Sequence, residues 1–369
     1  MTIEDYGVDP PGTFIRQELE TRQWSQRDLA YVLGMAEAQL SRILSGAHAI
    51  TPEMAKQLGD AFNVGPEFFV NLQKQYVLAR AKEPDPGIKK RAALQEQVPL
   101  REMIRRGCIE DGSPSMLALQ VSRFLGAGGV DGRTPTFAAK RTNYTEDSPS
   151  QLAWLFRVRQ LARLMRVERY EKAKLEAALP ELKARLIDPE LVREVPEILA
   201  STGVRLVFVE PLPNAKIDGV CTWLSDEEPV IALSLRYDRL DNFWFVLRHE
   251  IEHVLRGDGK DSAIIDDFDV EQDGLLPPEE IAANAAAQEF CLPAQRLSSF
   301  IERKYPYISE RDVVSFAAVS EVHPAIVVGQ IQRRLKKYSF LRKYLVPVRK
   351  FLMTDGLVDG WGSVVPSDL

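Results

Sequence analysis

"LRHEIEHVLRGD", residues 247–258, sets His249 and His253 four positions apart, with Glu250 directly after the first histidine. On a helix, positions i and i+4 share one face, so both imidazoles can point at one ion. Zn2+ accepts two imidazoles and a third protein ligand, which leaves one position for water. Glu250, rotated by about 100° from His249, can take a proton from that water. The chain holds only 4 histidines, so two in this one pattern weigh against chance. The flanks "FWFVL" (243–247) and Val254–Leu255 predict a buried helix, where His and Glu without a metal are costly.

The third ligand must come from elsewhere. The downstream acids Asp266, Asp267, Glu279, Glu280 and Glu289 are the candidates. Glu280 is favoured: it opens a helix, and Asn284 follows on the same face, where it can hydrogen-bond to a ligand and orient it. Glu279 serves if the helix register differs by one, and both acids also complement a helix dipole. Tyr237, Arg248 and His323 are the candidates for stabilising an oxyanion. The 3 cysteines (Cys108, Cys221, Cys291) are odd in number and widely spaced, which argues against both a disulfide framework and a thiolate zinc site.

Hydrophobic residues make up 45% and charged residues 27% of 369, a globular balance long enough for two domains. The net charge of −6 excludes coating nucleic acid by bulk charge, though not a local DNA-reading surface. No apolar run approaches the ~18 residues of a membrane span. The acidic start "MTIEDYGVDPPG" lacks the apolar core of a signal peptide. The expectation is a cytoplasmic protein with no membrane partner.

Residues 12–80 read as short helices. "SQRDLAYVLGMAEAQLSRILSG" (25–46) gives a helix capped by Ser25 with Asp28 at N3, a turn at Gly34, and a second helix stopping at Gly46. That is the layout of a helix-turn-helix, whose second helix enters the major groove. Leu29, Ala30, Leu33, Met35, Leu40, Ile43 and Leu44 form the predicted core. Glu37, Gln39, Ser41 and Arg42 face outward as DNA-contacting candidates, and Gln26 can donate to a phosphate. Residues 1–80 carry seven Lys or Arg against ten Asp or Glu, so binding should be modest and salt-sensitive, and a homodimer is the natural remedy.

The boundaries predicted are 1–80 for the DNA-binding head, 81–147 for a helical connector, 148–344 for the metal-site domain and 345–369 for a tail. A helix starting at Ser148 carries an arginine-rich face, read as solvated. Three β-type runs follow at 204–210, 219–224 and 229–235.

Two stretches carry a family likeness. Residues 11–80 resemble the HigA-type antitoxin branch of the Xre/Cro helix-turn-helix family through Pro11–Gly12, "SQRDLA", "LSRILSG", "ITPEMAKQLGDAF" and "PEFFVNLQ". Much of the remainder resembles the ImmA/IrrE metallopeptidases through "PVIALSLRYDRLDNFWFVLRHEIEHVL", "IDDFD", "EEIAANAAAQEFCLP" and "HPAIVVGQIQRRL". The resemblance implies a mainly α chain with a small β-sheet (α+β): a five-helix lambda-repressor-like head and a zincin-like, gluzincin-type domain. It implies Zn2+ held by His249, His253 and Glu280, with Glu250 as general base. It also implies a regulator of a stress, phage or toxin–antitoxin response, binding double-stranded operator DNA and cleaving a repressor or toxin protein. The alternative is an antitoxin-like repressor whose peptidase-shaped domain is a non-catalytic sensor or toxin-binding module. Ala286 stands where the family pattern has an aromatic residue, and Glu252 where it has a small or neutral one.

Overall fold

In the computed structural model of the chain, residues 9–126, 140–141, 148–260, 263–266, 276–352 and 358–359 are described. Asp267, the rest of the acidic loop and most of the glycine-rich stretch after Gly126 lie outside them. The chain divides into two compact units, Met1–Asp85 and Pro86–Leu369.

The first unit is five helices: α1 (Pro11–Arg22), α2 (Gln26–Val32), α3 (Glu37–Leu44), α4 (Pro52–Phe62) and α5 (Pro66–Arg80). Ser25 accepts from the Asp28 amide at 3.1 Å while the Asp28 carboxylate accepts from the Ser25 amide at 2.7 Å, a reciprocal cap that fixes where α2 begins. Gly34 takes φ +64° in the turn, a conformation that a side chain would strain. Ile15, Leu29, Leu40, Leu44, Leu58, Phe62 and Phe69 close the core, with Leu33 and Met35 half-buried at its margin. Two arginines of α1 satisfy carbonyls that helix ends leave open: Arg16 donates to Leu44 O and Arg22 to Phe62 O, both at 2.7 Å. Gly12 lets α1 approach that same end of α3, since a Cβ there would lie 2.0 Å from Leu44 O.

The second unit begins with α6 (Gly87–Gln97), α7 (Leu100–Arg105) and α8 (Pro114–Phe124), then β1 (Lys140–Arg141), α9 (Pro149–Leu164), α10 (Lys172–Ala184) and α11 (Val195–Ser201). The expected β-runs are β2 (Arg205–Val209), β3 (Gly219–Trp223) and β4 (Pro229–Leu233). They are followed by α12 (Leu240–Arg256), β5 (Ile264–Asp266), α13 (Pro278–Cys291), α14 (Ala294–Lys304), α15 (Glu310–Val319), α16 (Pro324–Leu335), α17 (Arg349–Leu352) and β6 (Val358–Asp359). The mixed sheet runs β1-β5-β3-β4-β2-β6. β3 is antiparallel to both β4 and β5, while β2 is parallel to β4 and β6.

Alternation along the strands buries the sheet on both faces. Leu206, Phe208, Cys221, Ile231 and Leu233 pack with α12, α13 and α16. Val207, Val209, Val220, Val230, Ala232 and Ile265 pack instead with α6–α9. Of the expected connector, residues 86–126 are therefore packed into the second unit: Leu94, Met103, Leu117 and Val121 supply one of its two apolar layers. Burial of each such side chain contributes about 1.5–3 kcal/mol. The tail joins the unit likewise, through Val348 and Leu352 in the core and β6 on the sheet edge.

The solvated arginine face expected on α9 is corrected by its contacts. Trp154 is fully buried and donates from Nε1 to Val209 O at 3.0 Å. Arg157 pairs with the buried Asp359 at 2.6 Å, and Arg159 donates to Trp223 O at 3.0 Å. These arginines span apolar surface and finish on buried acceptors, a use that composition alone does not distinguish from solvation. Among the described residues, no single helix is long and apolar enough to cross a membrane.

Candidate metal centre and nucleic-acid interface

α12 lies inside the unit, with Phe243, Trp244, Val246, Leu247 and Ile251 buried against its neighbours. His249, Glu250 and His253 sit in that same interior with no exposed surface. Four buried side chains converge here: His249, His253, Asp266 from the end of β5, and Glu280 from the first turn of α13. His249 Nε2 lies 3.0 Å from His253 Nε2, 3.2 Å from Glu280 Oε2 and 3.3 Å from Asp266 Oδ2; His253 Nε2 lies 3.4 Å from Glu280 Oε1. A tetrahedral ion with bonds of about 2.0–2.1 Å holds its donors about 3.3–3.4 Å apart, so the donor set fits zinc.

The electrostatics agree with that fit. Burial lowers the pKa of His249, but the charges and hydrogen bonds of Asp266 and Glu280 outweigh it and hold the group at about 9. His253 is also raised, against burial, by its hydrogen bond to Glu280. Burial raises Glu280, yet the two imidazoles beside it carry its carboxyl below the usual range. Glu250 has no such cation. Burial, with the neighbouring carboxylates of Asp266 and Glu280, pushes it well above the carboxylate range, and both its oxygens are buried without a hydrogen-bond partner. A buried acid left in this way is expensive unless a proton or a cation completes it.

Two supporting residues escaped the sequence reading. Gly257 takes φ +77° at the end of α12 and turns the chain back, so that Asp258 Oδ2 lies 3.1 Å from His253 Nδ1. This fixes which ring nitrogen of His253 faces the centre. "HVLRGD" carries the signal, a helix-ending glycine followed by an acid. The other residue is Gly219 on β3, where a Cβ would fall 2.2 Å from Glu250 Oε1 and 2.6 Å from Val246 Cγ1. Gly219→Ala is expected to displace Glu250 while leaving the ligands in place. Overpacking should lower stability by about 1–3 kcal/mol, and displacement of this kind can cost about 100-fold in turnover. Denaturant unfolding, zinc content and cleavage rate together check this; an unchanged rate in a folded, zinc-loaded variant would contradict it.

The other candidates stand outside the four-donor cluster. Glu279 is half-exposed, and exposed Glu289 accepts from the Ala294 amide at 3.3 Å. Asn284 has its Oδ1 buried without a partner, and the orienting contact is made by Asp258 instead. Arg248 pairs with Glu252 at 2.8 Å, which explains the acid at that position. Tyr237 Oη accepts from Arg236 at 2.8 Å, and His323 Nδ1 accepts from the Ala325 amide at 3.1 Å as the cap of α16. The cysteines are free, with Cys221 and Cys291 buried and their thiols raised by burial.

In the first unit, Gln26, Glu37, Gln39, Ser41 and Arg42 are all exposed, while Leu40, Ile43 and Leu44 on the opposite side of α3 are buried. Glu37 Oε1 accepts from Arg27 Nε at 2.7 Å, which offsets a charge that would repel phosphate.

Comparison with known proteins follows this division. Residues 15–69 match the helix-turn-helix family and residues 201–327 match the IrrE N-terminal-like domain of the M78 peptidases. An uncharacterized HTH-type transcriptional regulator of Escherichia coli, YddM, is 36% identical over 73 residues, 20% of this chain and 78% of that protein. The chain belongs to the helix-turn-helix regulators and carries an IrrE-like peptidase domain. Virulence-associated protein A' of Dichelobacter nodosus is 35% identical over 74 residues, again 20% of this chain but 64% of its own length. Among solved structures, Pseudomonas aeruginosa PA4674 in complex with operator DNA is 32% identical, over 19% of this chain and 77% of that one, with a TM-score of 0.19. A HigA-family addiction-module antidote protein of Coxiella burnetii is 30% identical, over 24% and 91% of the two chains, with the same TM-score of 0.19.

Proposed function

We propose that this helix-turn-helix regulator binds operator DNA through α3 as a homodimer, and that its second unit is a zinc-dependent endopeptidase acting on a regulatory protein. The observation that carries the peptidase reading is the meeting of two imidazoles and the Glu280 carboxylate at donor spacing, beside a Glu250 that none of them neutralises. When bound, zinc would supply Lewis-acid polarisation of the scissile carbonyl. His249, His253 and Glu280 would hold it, and Asp258 keeps His253 in the required tautomer. Glu250 takes a proton from the attacking water and passes it to the leaving amine.

The test is incubation of the purified chain with candidate repressor and toxin proteins, with and without chelator. Cleavage that stops with chelator and returns with zinc is expected; cleavage indifferent to chelator would reject the peptidase reading.

For the head, Gln39→Ala and Arg42→Ala should each weaken binding to a duplex selected from a random pool. Losing one base-edge contact costs about 1–3 kcal/mol. Fluorescence anisotropy at fixed salt measures this, and unaltered affinity in both variants would remove α3 as the reading helix.

A further inference from the structure

The zinc centre assigned under the proposed function needs three protein ligands, yet four protein donors are gathered there. Asp266 is the surplus one. It is 3% exposed, and its buried Oδ2 lies 3.3 Å from His249 Nε2. Its place is set by the sheet. β5 runs antiparallel to β3 with Asp266 opposite Gly219, and the Asp218 amide donates to Asp266 O at 2.8 Å. Gly219 is the residue whose missing side chain makes room for Glu250. One strand pairing thus puts the Asp266 carboxyl against both the ligand His249 and the base Glu250.

A catalytic zinc keeps one position open for water, whereas a site with four protein donors is closed. The water that Glu250 must deprotonate would need a place beside Glu250 and the ligands, and the Asp266 carboxyl lies beside both Glu250 and His249. We infer that Asp266 is a fourth protein ligand, and that the chain rests in a closed state from which it must open to cut. Peptide hydrolysis then requires the Asp266 carboxylate to leave the ion, so the position of β5 sets whether the unit cuts. This inference rests on the zinc reading above and adds its regulation.

The test uses the full chain loaded with Co2+, whose visible absorption reports coordination, with azide as a probe of an exchangeable position. The wild-type spectrum should be that of a four-donor site and stay unchanged on adding azide. Asp266→Ala should bind Co2+ more weakly, by about 10–100-fold or more, the loss seen when even an outer partner of a metal ligand is removed. Its spectrum should shift with azide. Asp266→Asn, nearly isosteric, should show the same azide response and guards against a folding defect in the alanine variant. A wild-type spectrum that shifts with azide as readily as the variants', or variants matching the wild type in affinity and spectrum, would overturn the inference while leaving the zinc reading intact. Failure of the wild type to bind Co2+ would overturn both.

Discussion

Replacing His249 and His253 together by alanine is expected to abolish stoichiometric zinc and, with it, any stabilisation by zinc. The two ring nitrogens lie 3.0 Å apart and face the Glu280 carboxylate at 3.2 and 3.4 Å, so no remaining pair of donors spans the centre in the same way. A ligand at 100 times its dissociation constant stabilises the folded state by about 2.7 kcal/mol. The wild type should therefore gain several degrees in melting temperature with added zinc, and the double variant none. The metal-free variant should itself be weaker. Glu280 would lose both hydrogen-bonded imidazoles, and breaking a buried charged pair from one side costs about 3–5 kcal/mol. Metal analysis after dialysis and thermal scans with and without zinc check both statements; full zinc content in the double variant would refute the ligand assignment.

Glu250→Gln is expected to separate binding from chemistry. Glutamine keeps the shape of the side chain in a space that Gly219 and Val246 delimit, but it cannot take a proton. Zinc content should stay at the wild-type level and cleavage should fall by about 100- to 10,000-fold, the range for loss of a positioned general base. The variant should also fold at least as stably as the wild type, because a neutral amide is cheaper than an unpartnered carboxyl in a buried site. Cleavage at the wild-type rate in a zinc-loaded variant would dismiss Glu250 as the base.

Much of this was legible because it is local. His249 and His253 announce themselves through four-residue spacing, and Glu280 through its place in the first turn of a helix; both signals stay within one element. The helix-turn-helix core and the reciprocal cap of α2 are likewise local patterns. What the chain does not spell out depends on pairing between distant segments. Asp266 stood among five acids, and only the antiparallel pairing of β5 with β3 selects it alongside Glu280. Gly219 matters only because α12 passes over it. The arginines of α9 carry the composition of a solvated face, and only the docking of that helix on the sheet turns Arg157 and Arg159 inward. The helices after Pro86 lie in the stretch expected as a helical connector, yet their apolar residues complete one face of the sheet.

The most direct test of the central claim is zinc-edge X-ray absorption of the loaded full-length chain. The account predicts two imidazole nitrogens together with carboxylate oxygen at about 2.0–2.1 Å, and loss of the imidazole scattering in the His249→Ala/His253→Ala protein. A zinc shell without imidazole, or the same shell in the double variant, would contradict it.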